Sequence, residues 1–329
     1  MAAAKIAKGA EQLSGHELLG WRRRLLASEG RRPADPADLD WLLDLAGGLG
    51  GAERQALWLH PERPVQLQCS LTAIADLWRQ YRASDQPLQY LLGRCPWRDL
   101  ELTVGPGVLI PRQETELLVD LALQLLPAAQ PGARLHWADL GTGSGALAIA
   151  LARALPDSTG LAVEASEPAL AIAACNLTRW VAGSLVPAAT GLQPAHARAA
   201  QVSPTPPLQL LQGDWWQPLK PWWGRLQLVV SNPPYIPSAV CDGLDPVVRD
   251  HEPRQALDGG GDGLDSIRAI AAGAPLAMAP GGLLLLEHHH DQSGSVLELL
   301  RDSGFGDVQA HRDLEGVERF ASGRWRVSP

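Results

Sequence analysis

The segment SNPPYIP at residues 231–237 follows the apolar run LQLVV and places two prolines between an asparagine and a tyrosine. Proline fixes φ, has no N–H to donate and restricts the residue before it, so Pro233 and Pro234 make this segment stiff. The side-chain oxygen of Asn232 and the carbonyl oxygen of Pro233 can then face the same way. Two fixed acceptors match the two hydrogens of a planar –NH2 group, over which Tyr235 can lie. The segment predicts a site that holds an amide or an aromatic amine and aims its nitrogen.

A glycine-rich turn lies upstream, in HWADLGTGSGALAIALA. A predicted strand ends at Leu140, a helix starts at Ala146, and the turn between them is Gly141, Thr142, Gly143, Ser144 and Gly145. Glycines allow close approach of the backbone to a ligand, and a helix N-terminus offers unpaired N–H groups. A plain tight turn is the alternative. A dinucleotide site prefers GxGxxG, whereas GxGxG indicates a ligand without a pyrophosphate.

Two further strand ends carry side chains suited to a nucleoside. Glu164 ends the strand LAVE, where a carboxylate can accept both hydroxyls of a ribose, in a dehydrogenase as well as in a methyltransferase. Asp214 can accept an adenine amino hydrogen, and the indole of Trp215 can cover a purine face. Alone these are weak signals, because a strand-end acid is often merely solvated and a tryptophan there more often belongs to the core.

The elements that must position these residues follow an alternating pattern from residue 112 onward. Apolar strands alternate with amphipathic helices, which predicts an α/β fold with a mainly parallel, doubly wound sheet covered on both faces. The predicted strands are RLHWADL, TGLAVEAS, LQLLQGD, LQLVVSN, GGLLLLEHH and the final DVQAHRD and RFASGRW. The predicted helices are ETELLVDLALQLL, ALAIALARALP, EPALAIAACNLTRW, DSIRAIAAGAPLAM and SGSVLELLRDSGF.

The N-terminal region has a different character. Apolar residues three or four apart predict a small helical bundle within a domain at 1–85, with N-caps at Asp38 and Ser70 and helix ends at Gly30 and Gly47. Period-two stretches predict a β-hairpin connector at 86–108, followed by the α/β domain at 109–329. Residues 182–207, rich in Ala, Pro and Ser, predict a flexible surface insertion in that domain.

Composition restricts the function classes. The net charge of −8 over 329 residues counts against a protein that binds nucleic acid mainly through its phosphates. The four scattered cysteines favour a reducing compartment, and the lack of a signal-peptide pattern or a long apolar window favours a cytoplasmic protein without a membrane span. The histidines at 288–290 would point to alternate faces of one strand, so no metal site is expected there.

The glycine turn and the NPPY segment together are similar to those of class I S-adenosylmethionine-dependent amino-methyltransferases. The chain resembles in particular the release factor glutamine methyltransferases, from about Gln86 to Trp325. The matching segments are LIPRQETE, DLGTGSGALAIALA, VVSNPPYI, HEPRQALDGGGDGLD and GGLLLLEH. Three features depart from the family: Glu164 stands where an aspartate is usual, His289 where a glycine is usual, and the 182–207 insertion is long.

The resemblance implies a Rossmann-like class I methyltransferase sheet with a small N-terminal helical domain that docks the substrate. It implies S-adenosylmethionine as cofactor, a peptide-chain release factor as partner, and methylation of the side-chain nitrogen of the glutamine in its GGQ motif. The implied cofactor contacts are residues 141–145, Glu164, Trp215 and Asn232. The implied substrate clamp is residues 232–235.

Three alternatives remain open at the level of sequence. A glutamine methyltransferase acting on a ribosomal protein would keep the chemistry and change the substrate. An adenine-N6 methyltransferase acting on DNA or RNA would use the same NPPY segment, although the acidic balance counts against it. A catalytically idle binding protein would show no cofactor turnover.

Overall fold

The structure is a computed structural model that describes residues 9–126, 134–184 and 208–326. Most of the predicted insertion, from residue 185 to 207, therefore lies outside the described residues. The chain divides into two compact units. One consists of Met1–Arg94 with Pro246–His251, and the other of Cys95–Asp245 with Glu252–Pro329.

The helices and strands are numbered here in chain order. The helices are α1 (Gly15–Leu26), α2 (Pro36–Leu45), α3 (Gly51–Leu59), α4 (Leu71–Ala83), α5 (Leu88–Leu92), α6 (Glu116–Leu125), α7 (Ala146–Ala154), α8 (Glu167–Trp180), α9 (Ser238–Cys241), α10 (Pro246–Arg249), α11 (Asp265–Ala277) and α12 (Ser293–Asp302). The strands are β1 (Glu11–Ser14), β2 (Pro64–Leu67), β3 (Arg94–Trp97), β4 (Leu100–Thr103), β5 (His136–Leu140), β6 (Thr159–Glu164), β7 (Leu208–Gln212), β8 (Leu226–Ser231), β9 (Met278–Glu287), β10 (Phe305–Arg312) and β11 (Glu318–Trp325).

The first unit is built around an apolar core that the helices supply at helical spacing. Leu39 and Leu43 of α2 and Ile74 and Trp78 of α4 are fully or almost fully buried. Apolar residues four apart lie on one face of a helix, so each helix presents such a face to the core. The expected helices α1 to α4 are all present.

The prediction of a purely helical N-terminal region was incomplete. Strands β1 and β2 pair antiparallel in a two-stranded sheet, and α5 precedes the hairpin strands β3 and β4. Strands of four residues are too short to show a convincing period of two.

The predicted helix ends need two corrections, although the N-cap at Ser70 is confirmed. The N-cap of α2 is Asp35 rather than Asp38, because Pro36 takes the first helical position, where its missing N–H costs nothing. Helix α1 ends at Leu26, well before Gly30, whereas α2 ends at Leu45 and its C-cap Ala46 directly precedes Gly47, as expected.

The second unit contains a seven-stranded sheet in the order β10-β11-β9-β8-β5-β6-β7. The pairs from β9 to β7 are parallel, whereas β11 pairs antiparallel with both β9 and β10. The predicted mainly parallel α/β sheet is confirmed. Strand β5 is buried on both faces. Successive side chains point to opposite sides of the sheet, so Trp137 belongs to the apolar core on one side and Ala138 to the core on the other.

The strand order decides where a ligand can bind. From β5 the chain first adds β6 and β7 on one side, and then returns to add β8 and β9 on the other. The carboxyl ends of β5 and β8 therefore diverge at a topological switch point, where open α/β sheets form their binding crevice. The glycine turn follows β5 and the NPPY segment follows β8, so both motifs lie at this crevice.

None of the helices in the described parts of the chain has the length and apolar character needed to span a membrane.

Candidate active site

A cavity of about 350 Å³ opens at the carboxyl ends of these strands, and all its lining residues belong to the second unit. Most residues predicted to bind a cofactor line it: Gly141, Thr142, Gly143, Ser144, Glu164, Asp214, Trp215 and Asn232. Pro234 also lines the cavity, whereas Gly145, Pro233 and Tyr235 do not. The sequence motifs, far apart along the chain, therefore meet around one cavity.

The glycine turn shapes the cavity wall through its backbone conformation. Gly141, Gly143 and Gly145 have φ values of +73°, +57° and +85°, a region that side chains strongly disfavour. At Gly145 a β-carbon would also lie 2.6 Å from Cδ1 of Leu177. Only glycine fits there without displacing the packing of α7 against α8.

The amides of this turn are largely engaged within the protein. The N–H groups of Gly141 and Thr142 both donate to the carbonyl oxygen of Val163, at 3.0 and 2.9 Å, and that of Gly145 donates to Thr142. The expectation that the turn offers unpaired N–H groups to a ligand is therefore wrong for these three residues. Gly141 and Thr142 contribute a close wall of the cavity rather than a set of donors.

Glu164 is held at the cavity by two backbone amides. Its Oε2 accepts from the N–H of Gly143 at 2.9 Å, and its Oε1 accepts from the N–H of Ser166 at 2.8 Å. Burial raises the pKa of this carboxyl, and the two amides oppose that effect. Since each carboxylate oxygen can accept two hydrogen bonds, both retain capacity for a hydroxyl. This geometry fits a ribose.

Trp215 is held in a strained conformation beside the glycine turn. Its φ is +40°, which is uncommon for any residue other than glycine and concentrates at functional sites. A β-carbon at Gly141 would lie 3.4 Å from Cζ3 of Trp215, so the edge of the indole lies directly against the glycine turn. The half-buried ring supplies an apolar wall suited to a planar base.

Trp215→Ala is expected to weaken binding of S-adenosylmethionine, the cofactor that the resemblance implies, about 10-fold, because it removes the aromatic wall of the cavity. Calorimetric titration of the cofactor measures this change. Trp223→Ala is the matched control, since Trp223 is exposed and does not line the cavity. Equal dissociation constants for the two variants would contradict the assigned role of Trp215.

A chain of hydrogen bonds joins the NPPY segment to two residues that the sequence analysis did not single out. The side-chain N–H of Asn232 donates to Oγ1 of Thr115 at 3.0 Å, and the Thr115 hydroxyl donates to Oε2 of Glu287 at 2.7 Å. The hydroxyl of Tyr235 donates to the other oxygen, Oε1 of Glu287, at 3.0 Å. Asn232 and Tyr235 are therefore anchored to one buried carboxylate.

The backbone of the NPPY segment is held by the glycine-rich loop at 258–263. The N–H of Gly259 donates to the carbonyl oxygen of Ile236 at 2.8 Å, and a β-carbon at Gly259 would lie 2.7 Å from the carbonyl oxygen of Pro234. From the start of α12, Nε2 of Gln292 donates to the carbonyl oxygen of Tyr235 at 2.9 Å. The two prolines make this segment stiff, and hydrogen bonds from the 258–263 loop and from Gln292 hold it further.

The sequence analysis also gave no role to the part of the cavity wall that lies just before α6 in the chain. Arg112 lines the cavity and forms an ion pair of 2.7 Å with Glu252, whose buried carboxylate also accepts from the N–H of Ile110 at 3.0 Å. The segments LIPRQETE and HEPRQ contain these residues and were quoted for the resemblance alone. Their pairing gives both segments a structural reason.

Burial raises the pKa of Glu287 to about 7, from an ordinary value of 4.5, and hydrogen bonds from Thr115 and Tyr235 act against this. Because the folded state holds this proton more tightly, the contribution to stability is greatest below pH 4.5 and is lost as the pH rises through 7.

The stability of Glu287→Gln is therefore expected to increase, relative to that of the wild type, as the pH rises. The difference in free energy of unfolding between variant and wild type should move by up to about 3 kcal/mol in favour of glutamine between pH 4.5 and pH 8. Urea denaturation of both proteins at several pH values measures it. A difference that stays constant with pH would show that Glu287 does not titrate in this range.

The histidine run differs from its predicted geometry. Strand β9 ends at Glu287, so His289 and His290 lie in the turn that follows, and the argument from alternating faces is wrong for them. One potential ligand atom from each of His289, His290 and Asp291 lies within 4.8 Å of the others. Nδ1 of His289 is 2.6 Å from Oδ1 of Asp291, and its ring faces Tyr235 at 6.3 Å between centroids. The expectation that no metal binds here stays a prediction.

The strand order, the glycine turn and the cavity at the switch point define a Rossmann-like protein of the class I S-adenosylmethionine-dependent methyltransferase type. Three curated relatives named release factor glutamine methyltransferase are similar over almost their whole length. That of Prochlorococcus marinus is 47% identical over 307 residues, covering 93% of this chain and 96% of the relative. That of Gloeobacter violaceus is 43% identical, covering 92% and 94%, and that of Synechocystis is 38% identical, covering 95% and 97%.

The chain belongs to the release factor glutamine methyltransferase family. No protein-family model matches it.

Proposed function

We propose that this protein methylates the side-chain amide nitrogen of the glutamine in the GGQ motif of peptide-chain release factors, with S-adenosylmethionine as methyl donor. One observation carries the chemistry. Asn232 directs its N–H toward Thr115, which leaves its side-chain oxygen as an acceptor at the cavity. A glutamine side chain carries the –NH2 group that such an acceptor binds. The family of the relatives supports the choice of a release factor as substrate.

The cavity fits the proposed cofactor. Glu164 would hold the ribose through its remaining acceptor capacity, and Trp215 and Asp214 would hold the adenine, while residues 141–144 would form the wall behind the nucleoside. S-adenosylmethionine supplies an electrophilic methyl group bound to a positively charged sulfur.

The role of residues 232–235 in the proposed reaction is to aim and activate the amide nitrogen. Its lone pair is delocalised into the neighbouring carbonyl, so it is a poor nucleophile. When Asn232 Oδ1 and the Pro233 carbonyl accept its two hydrogens, electron density moves onto nitrogen as positive charge develops there. Pro234 and Tyr235 keep the acceptors fixed, which adds a positional contribution. No general base is required, because an N-alkylated amide with an extra proton is strongly acidic.

The N-terminal region at 1–85 is proposed to dock the protein substrate. Trp58 and Leu59 at the end of α3 are 62% and 79% exposed, an apolar surface of the kind that protein partners cover. In this proposal residues 86–108 form a β-hairpin connector, and residues 109–329 form the domain that binds the cofactor and carries out methyl transfer. The proposed reaction takes place in the cytoplasm, where translation occurs, and it involves no nucleic acid, membrane or metal ion.

Transfer of labelled methyl from S-adenosylmethionine to a purified release factor tests the proposal. A copy with the GGQ glutamine changed to alanine, a ribosomal protein and DNA are assayed in parallel. Label on the intact release factor alone is expected. Label on the ribosomal protein or the DNA instead would replace the proposed substrate, and label on none of them would favour an idle binding protein.

A further inference from the structure

We propose that Thr115 and Glu287 are positioning residues that fix the orientation of the Asn232 amide, so that its oxygen and not its nitrogen meets the substrate. The inference rests on the proposed function, because it concerns the same –NH2 acceptor. It adds two residues, from the start of α6 and the end of β9, to the machinery that the NPPY motif defines.

The direction of the hydrogen bonds carries the inference. A threonine hydroxyl has one hydrogen to donate, and an ionised carboxylate can only accept. The Thr115 hydroxyl, 2.7 Å from Oε2 of Glu287, therefore gives its hydrogen to Glu287 and can only accept from Asn232, 3.0 Å away. Only the amide nitrogen of Asn232 can supply that hydrogen. The amide oxygen is left facing the cavity.

The same carboxylate also holds the other end of the motif. Its second oxygen accepts from the Tyr235 hydroxyl at 3.0 Å. Glu287 is 2% exposed and Thr115 6% exposed, so the hydrogen bond between them is shielded from water. The Glu287 carboxylate thus holds Asn232, through Thr115, and also the ring of Tyr235.

Protonation of Glu287 would remove this control. A protonated carboxyl can donate to Thr115, whose hydroxyl could then donate to the oxygen of Asn232 and reverse the amide. The groups that face Glu287 are Thr115 and Tyr235, with the charges of Glu114 before α6 and Arg319 on β11 nearby. Burial raises the pKa of Glu287 to about 7, which brings this reversal into an accessible pH range.

Three variants test the inference: Thr115→Val, Thr115→Ser and Glu287→Gln. Valine keeps the shape of threonine and removes the hydroxyl, whereas serine restores the hydroxyl. In Glu287→Gln the side-chain amide can donate to Thr115 and permit the reversed orientation. Thr115→Val and Glu287→Gln should lower kcat on the order of 10- to 100-fold at saturating cofactor, and Thr115→Ser should stay close to the wild type.

Two readouts separate positioning from a general loss of structure. The dissociation constant for S-adenosylmethionine should change little in Thr115→Val, even though the loss of two buried hydrogen bonds lowers its thermal midpoint by a few degrees. The kcat of the wild type should fall as the pH drops below about 7, and this acid limb should flatten in Glu287→Gln, whose activity stays low throughout. Equal kcat values for Thr115→Val and Thr115→Ser, or an unchanged acid limb in Glu287→Gln, would overturn the inference.

A measurement without turnover distinguishes this inference from the proposed function. The side-chain amide signals of Asn232 in a nitrogen-15 NMR spectrum are identified by their loss in Asn232→Ala. Their hydrogen exchange should be slow in the wild type and in Thr115→Ser, and clearly faster in Thr115→Val. Equal exchange in all three would sink the positioning role even if release factors are methylated. Slow exchange without any methyl transfer would leave the orientation intact and reject the proposed substrate.

Discussion

Asn232→Ala is expected to lower kcat for release factor methylation on the order of 100- to 1000-fold, while the dissociation constant for S-adenosylmethionine changes only a few-fold. The side-chain oxygen of Asn232 is one of the two acceptors proposed for the substrate –NH2 group. Removing it leaves the amide nitrogen both less activated and less well oriented as positive charge develops. Because this interaction strengthens in the transition state, its loss appears mainly in kcat.

Single-turnover transfer of labelled methyl, with the cofactor affinity measured separately by calorimetry, checks this result. Gln309→Ala is a suitable control, since it removes an exposed side-chain amide on β10, away from the cavity. Comparable losses in kcat and in cofactor affinity would mean that Asn232 mainly shapes the cofactor site. The clamp assigned to residues 232–235 would then need another acceptor.

Glu164→Gln is expected to weaken S-adenosylmethionine binding on the order of 100-fold, which corresponds to about 3 kcal/mol. The carboxylate is fixed by the amides of Gly143 and Ser166, at 2.9 and 2.8 Å, with capacity left for two ribose hydroxyls. A glutamine side chain has a single acceptor oxygen, and its –NH2 group would face one of these N–H donors. The variant therefore loses ribose contacts and also disturbs the turn.

Calorimetry with the cofactor and with its demethylated product measures the effect. Glu167→Gln makes the same chemical change three residues later, at an exposed position that does not line the cavity. At saturating cofactor, kcat of Glu164→Gln should recover to within a few-fold of the wild type. Equal affinities in Glu164→Gln and Glu167→Gln would remove Glu164 from the ribose site.

Local stereochemistry made much of this protein predictable. The strands and helices of the α/β unit repeat apolar residues at periods that distinguish the two, so each predicted element is present in the described residues. The glycine turn could be recognised from its GxGxG pattern between a strand and a helix, and its three glycines do have positive φ values of +73°, +57° and +85°. Similarly, the two prolines after Asn232 predict a rigid loop, because proline fixes φ in any surroundings. The acceptor chemistry follows from residue types alone.

Short elements and caps were less predictable, since they depend on neighbours in space. Strands β1 and β2 exist because Glu11–Ser14 pairs with Pro64–Leu67, and the alternation of buried Val65 and Leu67 with exposed residues in β2 is too short to predict the strand alone. His289 and His290 were assigned to a strand that ends before them, which changed the geometry expected of their side chains.

The sequence by itself determined the class of fold and indicated the glycine turn and the acceptors proposed in NPPY, because periodicity, glycine and proline act through local backbone geometry. Only the tertiary structure decided which way the Asn232 amide faces. Asn232 meets Thr115 across 117 positions, and Thr115 meets Glu287 across 172. Contacts at such separations depend on the strand order, which brings the ends of β8 and β9 beside α6. Thr115 accepts from Asn232 because its own hydrogen goes to Glu287, so the direction of one hydrogen bond depends on another. Such partners are known only once the chain has folded.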